Sequence, residues 1–240
     1  MKIECLFPEV SNLYGDLLNV RYLVRCCKES GVDVEVIKTS LKSEPLFASE
    51  TPALIYMGPM SERAQKLALS ALYPYKARLQ ELIENGTPFL ITGNALELFG
   101  EYIETDDGSR INCLSIFPTY AKQQMLHRFN ALYLGTFENF YITGHKSQFS
   151  HSYTIGELDG LFYTIRGVGL NPSIHFEGIR KNNYFATYLL GPILFTNPQF
   201  ARYFMKLIGI EDPTLCFEDA ITAAYNQRLK EFMDRNTTLD

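Results

Sequence analysis

Tryptophan is absent from this chain of 240 residues, and histidine occurs only four times. Cysteine occurs five times, as Cys5, Cys26, Cys27, Cys113 and Cys216. An odd count with no CxxC pair and no Cys/His ligand spacing argues against both a disulfide framework and a metal site. Cys26 and Cys27 are neighbours on a helical stretch, where adjacent side chains diverge. All five read as small buried hydrophobes in a reducing compartment. No run of lysine or arginine is present and the net charge is −5, so the electrostatic footprint of a nucleic-acid binder is missing. Apolar stretches are broken by Tyr, Asn, Gly or Pro well short of the roughly 20 residues a membrane helix needs. Residues 3–7 already read as a strand, without the basic, apolar and small-residue order of a signal peptide. These absences predict a cytoplasmic protein with no nucleic-acid partner, no membrane partner and no cofactor.

What is present is an ordinary globular balance, 46% apolar and 20% charged, in a chain long enough for one α/β domain over residues 1–240. With no tryptophan, the 15 tyrosines and 17 phenylalanines are assigned to the core. Strand and helix signals alternate through the first ninety residues. Residues 3–7 form an apolar run, and 16–29 carry a helical stripe of Leu17, Val20, Leu23 and Val24 closed by Gly31. Val32, Val34 and Val36 alternate with acidic residues as a second strand. Residues 53–56 are a third, Ser61 caps the following helix, Pro74 interrupts it, and 88–91 are a fourth strand. This alternation predicts a parallel sheet flanked by helices. Beyond Gly100 the texture changes. Asp106, Asp107 and Gly108 mark a hairpin, and 131–134, 161–165 and 184–190 read as strands of an antiparallel half. Asn197-Pro198 opens one helix, and Asp212-Pro213 a last one over about 213–235, with Phe217, Ile221, Ala224 and Leu229 on one face.

Four segments then carry a resemblance. Asn12-Leu13-Tyr14-Gly15-Asp16, with Asn19, is similar to an "NLYGDxGN" signature, with Leu18 standing where its glycine would be. Gly58 to Gln65 resembles a "GGGQDREQ" turn, and Thr87 to Gly100 resembles a strand and nucleophile elbow written "ICGGYQLLG". Thr187 to Pro192, with Asn197-Pro198 downstream and Glu177-Gly178 upstream, resembles "TYLHGP…NP". Their order and spacing are those of class I glutamine amidotransferases of the CobB/CobQ type, in particular the amidotransferase subunit of lipid II isoglutaminyl synthase. The segment from His145 to Gln148 falls where that family carries "GFENHxGRT" and matches it poorly. The resemblance implies a flavodoxin-like class I glutamine amidotransferase fold, and a Mur-ligase-like protein subunit as partner.

Such enzymes hydrolyse glutamine through a thioester, which needs a thiol on a sharp turn, an imidazole and oxyanion donors. The resemblance places the nucleophile on Gly93, which has no side chain, and the base on Leu190, which cannot carry a proton. Pro59 occupies a glycine position of the oxyanion turn and has no N–H. A catalytically inactive subunit is therefore expected, with Gly58, Pro59, Arg63, Thr92, Asn94 and Glu97 lining a vestigial cleft open to a small-molecule ligand. An enzyme with a rewritten cleft, acting through Arg63, Asn94 and Glu97 or using Thr92 as nucleophile, is the alternative, and a stand-alone sensor a third. Of His127, His145, His151 and His175, the last is nearest in sequence to the missing base, beside Glu177.

Overall fold

The computed structural model of the chain describes residues 1–239, so the expected domain's last residue, Asp240, lies outside the described residues. Its first half is a run of strand and helix in alternation: β1 (Lys2–Leu6), α1 (Leu18–Glu29), β2 (Glu35–Thr39), β3 (Leu54–Met57), α2 (Glu62–Leu72), α3 (Lys76–Glu84) and β4 (Phe89–Thr92). A 3-10 segment, Gly93–Phe99, follows β4. The second half holds β5 (Tyr102–Glu104), β6 (Arg110–Asn112), β7 (Thr119–Gln123), β8 (Phe129–Phe137), β9 (Phe140–Gln148), β10 (Ser150–Thr154), β11 (Gly160–Arg166), β12 (Phe176–Lys181) and β13 (Tyr184–Thr187). It ends with α4 (Ile193–Thr196), α5 (Pro198–Leu207) and α6 (Glu218–Met233).

The main sheet runs β2-β1-β3-β4-β13-β12-β11-β8-β9. Its first five strands pair in parallel. The order is that of doubly wound folds, with β13 as the fifth strand. From β13 outward every pairing is antiparallel. A second sheet, β10-β7-β5-β6, packs beside it.

Why these segments are strands is legible in their burial. β3 and β4 are buried along their whole length, as parallel strands covered on both faces must be. Alternate residues supply two cores. Leu6, Ile55, Met57, Phe89 and Ile91 pack under α2 and α3, while Ile3, Cys5, Leu54, Tyr56 and Leu90 pack under α1 and α5. Phe200 of α5 is fully buried and meets the rings of Phe137, Phe162, Phe185 and Phe204 edge-on. Truncation of such a ring costs about 3–5 kcal/mol.

Several sequence boundaries shift for identifiable reasons. The second strand begins at Glu35, because the Val32 N–H closes α1 by bonding Cys27 O at 2.9 Å. The helix expected from residue 16 starts at Leu18, since Asp16 belongs to the preceding turn. The strand expected over 184–190 ends at Thr187, and Leu190 makes a single bridge to His145. The last helix begins at Glu218 rather than near 213, because Phe217 is left-handed (φ 56°), a conformation that breaks a helix. Thr214 N–H is meanwhile held by Ser30 Oγ at 2.9 Å. The buried face of α6 is Ile221, Tyr225 and Phe232, and Phe217 is exposed. Asn197 does not cap α5 with its side chain; that amide instead accepts from Thr143 N–H and donates to Thr143 O, both at 2.9 Å, clamping α5 to β9. Pro74 does break the second helix, leaving a 3-10 turn at Tyr73–Tyr75 between α2 and α3.

Candidate functional site

The chain turns from strand to helical segment at Gly93, whose φ is 61°. A sharp turn in this left-handed region, at the end of a central parallel strand, is the geometry of a nucleophile elbow. Nothing projects from it. The neighbouring Pro59 ring occupies the space into which a side chain would point.

Two interlocks hold this arrangement. Behind the elbow, the buried Asp16 carboxylate accepts from Thr92 Oγ1, from Tyr56 Oη at 2.7 Å and from Asn19 Nδ2 at 3.1 Å. Burial raises its pKa despite these donors. Beside the elbow, Asn94 pairs with the Met60 backbone as a strand would. Its Oδ1 accepts from Met60 N–H at 3.0 Å and its Nδ2 donates to Met60 O at 2.8 Å. Pro59 has no N–H, and that of Met60 is engaged, so neither residue of this turn offers a donor to an oxyanion.

Beneath the turn lies a second buried carboxylate, Glu97. It accepts from Ser150 Oγ, from Tyr188 Oη at 2.8 Å and from Gln65 Nε2 at 2.9 Å. Desolvation raises its pKa above the usual carboxylate value. Tyr188 in turn donates its backbone N–H to Glu177 at 2.7 Å, and Glu177 forms a buried ion pair with Lys146 at 2.5 Å. The elbow is thus tied through one polar chain to β9 and β12.

Above the turn is a cleft of about 210 Å³. Pro59, Gly93 and Asn94 line it from the elbow side, Leu13 and Tyr14 from the segment before α1, Arg128, Ser147, Gln148 and Phe149 from the antiparallel half, and Tyr188 and Leu190 from the segment that follows β13. Ser61, Glu62 and Met60 complete the wall, so no cysteine or histidine is among the lining residues. Ser61 also accepts from Ala64 N–H at 3.3 Å, the cap expected for α2.

Of the residues singled out in the sequence, Pro59, Gly93, Asn94 and Leu190 meet in this cleft. Thr92 and Glu97 are buried below it, bonded to Asp16 and to Gln65, Ser150 and Tyr188. Gly58 sits behind the turn, where a Cβ would strike Ser11 O and Tyr56 Oη. Arg63 is exposed and lies outside the lining. His127 and His175 are exposed, His151 is buried against Phe129, and only His145 touches Leu190, through the backbone. All five thiols are buried. Desolvation pushes Cys5 and Cys113 up to about 12, and Cys26 and Cys27 to about 11. Arg128 and Phe149 carried no sequence signal. They flank β8 and β10, and a cation–π contact at 4.7 Å joins them at the mouth of the cleft. Ser147 and Gln148 lie in the segment that matches the resembled motif poorly.

Residues 2–198 match the CobB/CobQ-like glutamine amidotransferase domain. The chain belongs to this family. It is 29% identical over 197 residues to the lipid II isoglutaminyl synthase (glutamine-hydrolyzing) subunit GatD of Staphylococcus aureus, covering 81% of this chain and 79% of that protein. It is 24% identical over 204 residues to the protein of the same name from Streptococcus pneumoniae, covering 84% and 77%. Among solved structures, the glutaminase domain of Trypanosoma brucei CTPS with bound acivicin superposes with a TM-score of 0.57 at 9% identity, over 90% of this chain and 96% of that one. PurLQS from Thermotoga maritima gives 0.54 at 11% identity, over 95% and 98%. The fold is therefore that of class I glutamine amidotransferases, as expected from the sequence. Among the described residues no helix is long and apolar enough to cross a membrane.

Proposed function

We propose that this chain is a non-hydrolysing amidotransferase-like subunit that docks on a Mur-ligase-like partner in the amidation of a peptidoglycan precursor. The observation that carries the reading is the Pro59 ring against Gly93, which leaves the elbow with neither an attacking atom nor room for one. Leu190 stands where the family's base would be, and the Asn94 clamp on Met60 consumes a backbone donor. The relatives are named as subunits of a lipid II isoglutaminyl synthase, which supports a partner subunit of that kind. In this reading the chain stabilises a cytoplasmic ligase that uses free ammonia.

The test is ammonia release from glutamine by the purified chain, alone and with the Mur-ligase-like protein of the same organism. The expected rate is indistinguishable from that without protein. Turnover anywhere in the ordinary enzymatic range, about 1 per second or faster, overturns the reading.

One observation favours a ligand in the cleft as a second reading. Gln148 is buried and lines the cleft, and its Oε1 has no hydrogen-bond partner. A donor on a small molecule would satisfy it. Calorimetric titration with glutamine tests this, and binding that survives Gln148→Leu unchanged argues against it.

A further inference from the structure

Beside the elbow cleft, with Leu190 lining both, lies a second hollow of about 240 Å³. It is walled by Leu132, Leu190 and Phe232, and two nitrogen-bearing side chains face it, His145 of β9 and Arg228 of α6. Arg228 is half-buried and donates from Nη1 alone, to Thr196 O at 3.1 Å and Thr143 Oγ1 at 3.5 Å. Among the described residues no carboxylate pairs with it. Its Nε and Nη2 form the free edge of the guanidinium, two parallel donors spaced for one carboxylate or phosphate.

Neither ring nitrogen of His145 has a hydrogen-bond partner among the described residues, though the ring is partly buried. A Cβ at residue 191 would lie 2.9 Å from His145 Nδ1 and 2.8 Å from Cε1, so Gly191 (φ 103°) is what leaves the imidazole its place. Burial and the adjacent Arg228 both lower the pKa of His145, which favours a neutral imidazole able to donate one N–H, beside an Arg228 cation that Glu231 offsets only at longer range.

From the free guanidinium edge, the unpartnered imidazole and the apolar walls, we propose that this hollow is a binding site for a small oxyanion, a carboxylate or a phosphate. Two bonds come from Arg228 and one from His145, with Leu132 and Phe232 covering the anion's apolar side. Because His145 O accepts the Leu190 N–H at 2.9 Å, an occupant also braces the wall that Leu190 gives to the elbow cleft. The inference does not depend on whether the elbow hydrolyses glutamine.

The test is a titration of the full chain with inorganic phosphate and, separately, with succinate, followed by the NMR signal of His145 Cε1–H and by calorimetry. The expected result is saturable binding with a Kd on the order of 1 mM for at least one anion. In Arg228→Gln it is weakened roughly tenfold or more, and in His127→Gln, which alters an exposed histidine elsewhere, it is unchanged. A response to phosphate alone or succinate alone identifies the source of the oxyanion. If Arg228→Gln fails to fold, His145→Gln is titrated calorimetrically with the same expectation. No saturable response to either anion up to about 50 mM, or binding that both variants leave intact, overturns the proposal.

Discussion

Pro59 packs so tightly on Gly93 that a Cβ at residue 93 would stand 3.2 Å from Pro59 Cα and 3.3 Å from Cγ, and inside contact distance of Cβ. Restoring a cysteine at the elbow therefore adds overpacking to the strain of a left-handed non-glycine residue. Gly93→Cys is expected to destabilise the fold by about 3 kcal/mol and to leave the chain without glutaminase activity. Pro59→Gly in the same chain removes the overpacking. The double variant should be at least about 1 kcal/mol more stable than the sum of the single effects. Urea denaturation of the four proteins measures this, and additive losses would show that Pro59 does not occupy the space.

Glu97 gives a pH prediction. Burial is the largest influence on it and raises its folded pKa, so the folded state binds its proton more tightly than the unfolded chain. The stability tied to that proton is present below the ordinary carboxylate pKa and is lost as pH rises through the raised value. Asp16 acts in the same direction. Glu97→Gln, which cannot ionise, should therefore gain on the parent chain as pH rises above the ordinary carboxylate pKa and through the raised one. Parallel stability profiles of the two proteins over that window would contradict it.

Lys146 and Glu177 are 3% and 0% exposed and 2.5 Å apart, and Glu177 also holds Thr187 Oγ1 and Tyr188 N–H at 2.7 Å. Removing the lysine alone leaves a charge with no counter-ion in the interior. Lys146→Met is expected to cost about 3–5 kcal/mol. Pairing it with Glu177→Gln, which keeps an acceptor for Thr187 and Tyr188, should recover most of that loss. Equal stability of the single and double variants by chemical denaturation would show that the ion pair does not account for the cost.

The parallel half was readable because β1, β3 and β4 are short, largely apolar runs, and β2 an alternating one, between residues that punctuate the backbone. Gly31 and Gly86 take φ of 78° and 77°, Ser61 caps α2 and Pro74 breaks the helix, all local signals. The antiparallel half was harder. β9 buries Thr143 and Lys146, whose partners Asn197 and Glu177 are distant in sequence, and no window of sequence shows those pairings. At the site, the substitutions at Pro59, Gly93, Asn94 and Leu190 were visible one by one. That the first three interlock was not, because Met60 and Asn94 are brought together only by the parallel pairing of β3 with β4. Arg63 was misplaced for the mirror-image reason. Its spacing within the motif is right, but as the second residue of α2 its side chain is exposed to solvent.

The thiols have a practical consequence. With the elbow bare and every cysteine thiol buried, alkylating reagents and peroxide meet no reactive thiolate on the folded chain. Any labelling by a reagent such as iodoacetamide would then count excursions to open states, and this protein carries five built-in clocks for its own unfolding.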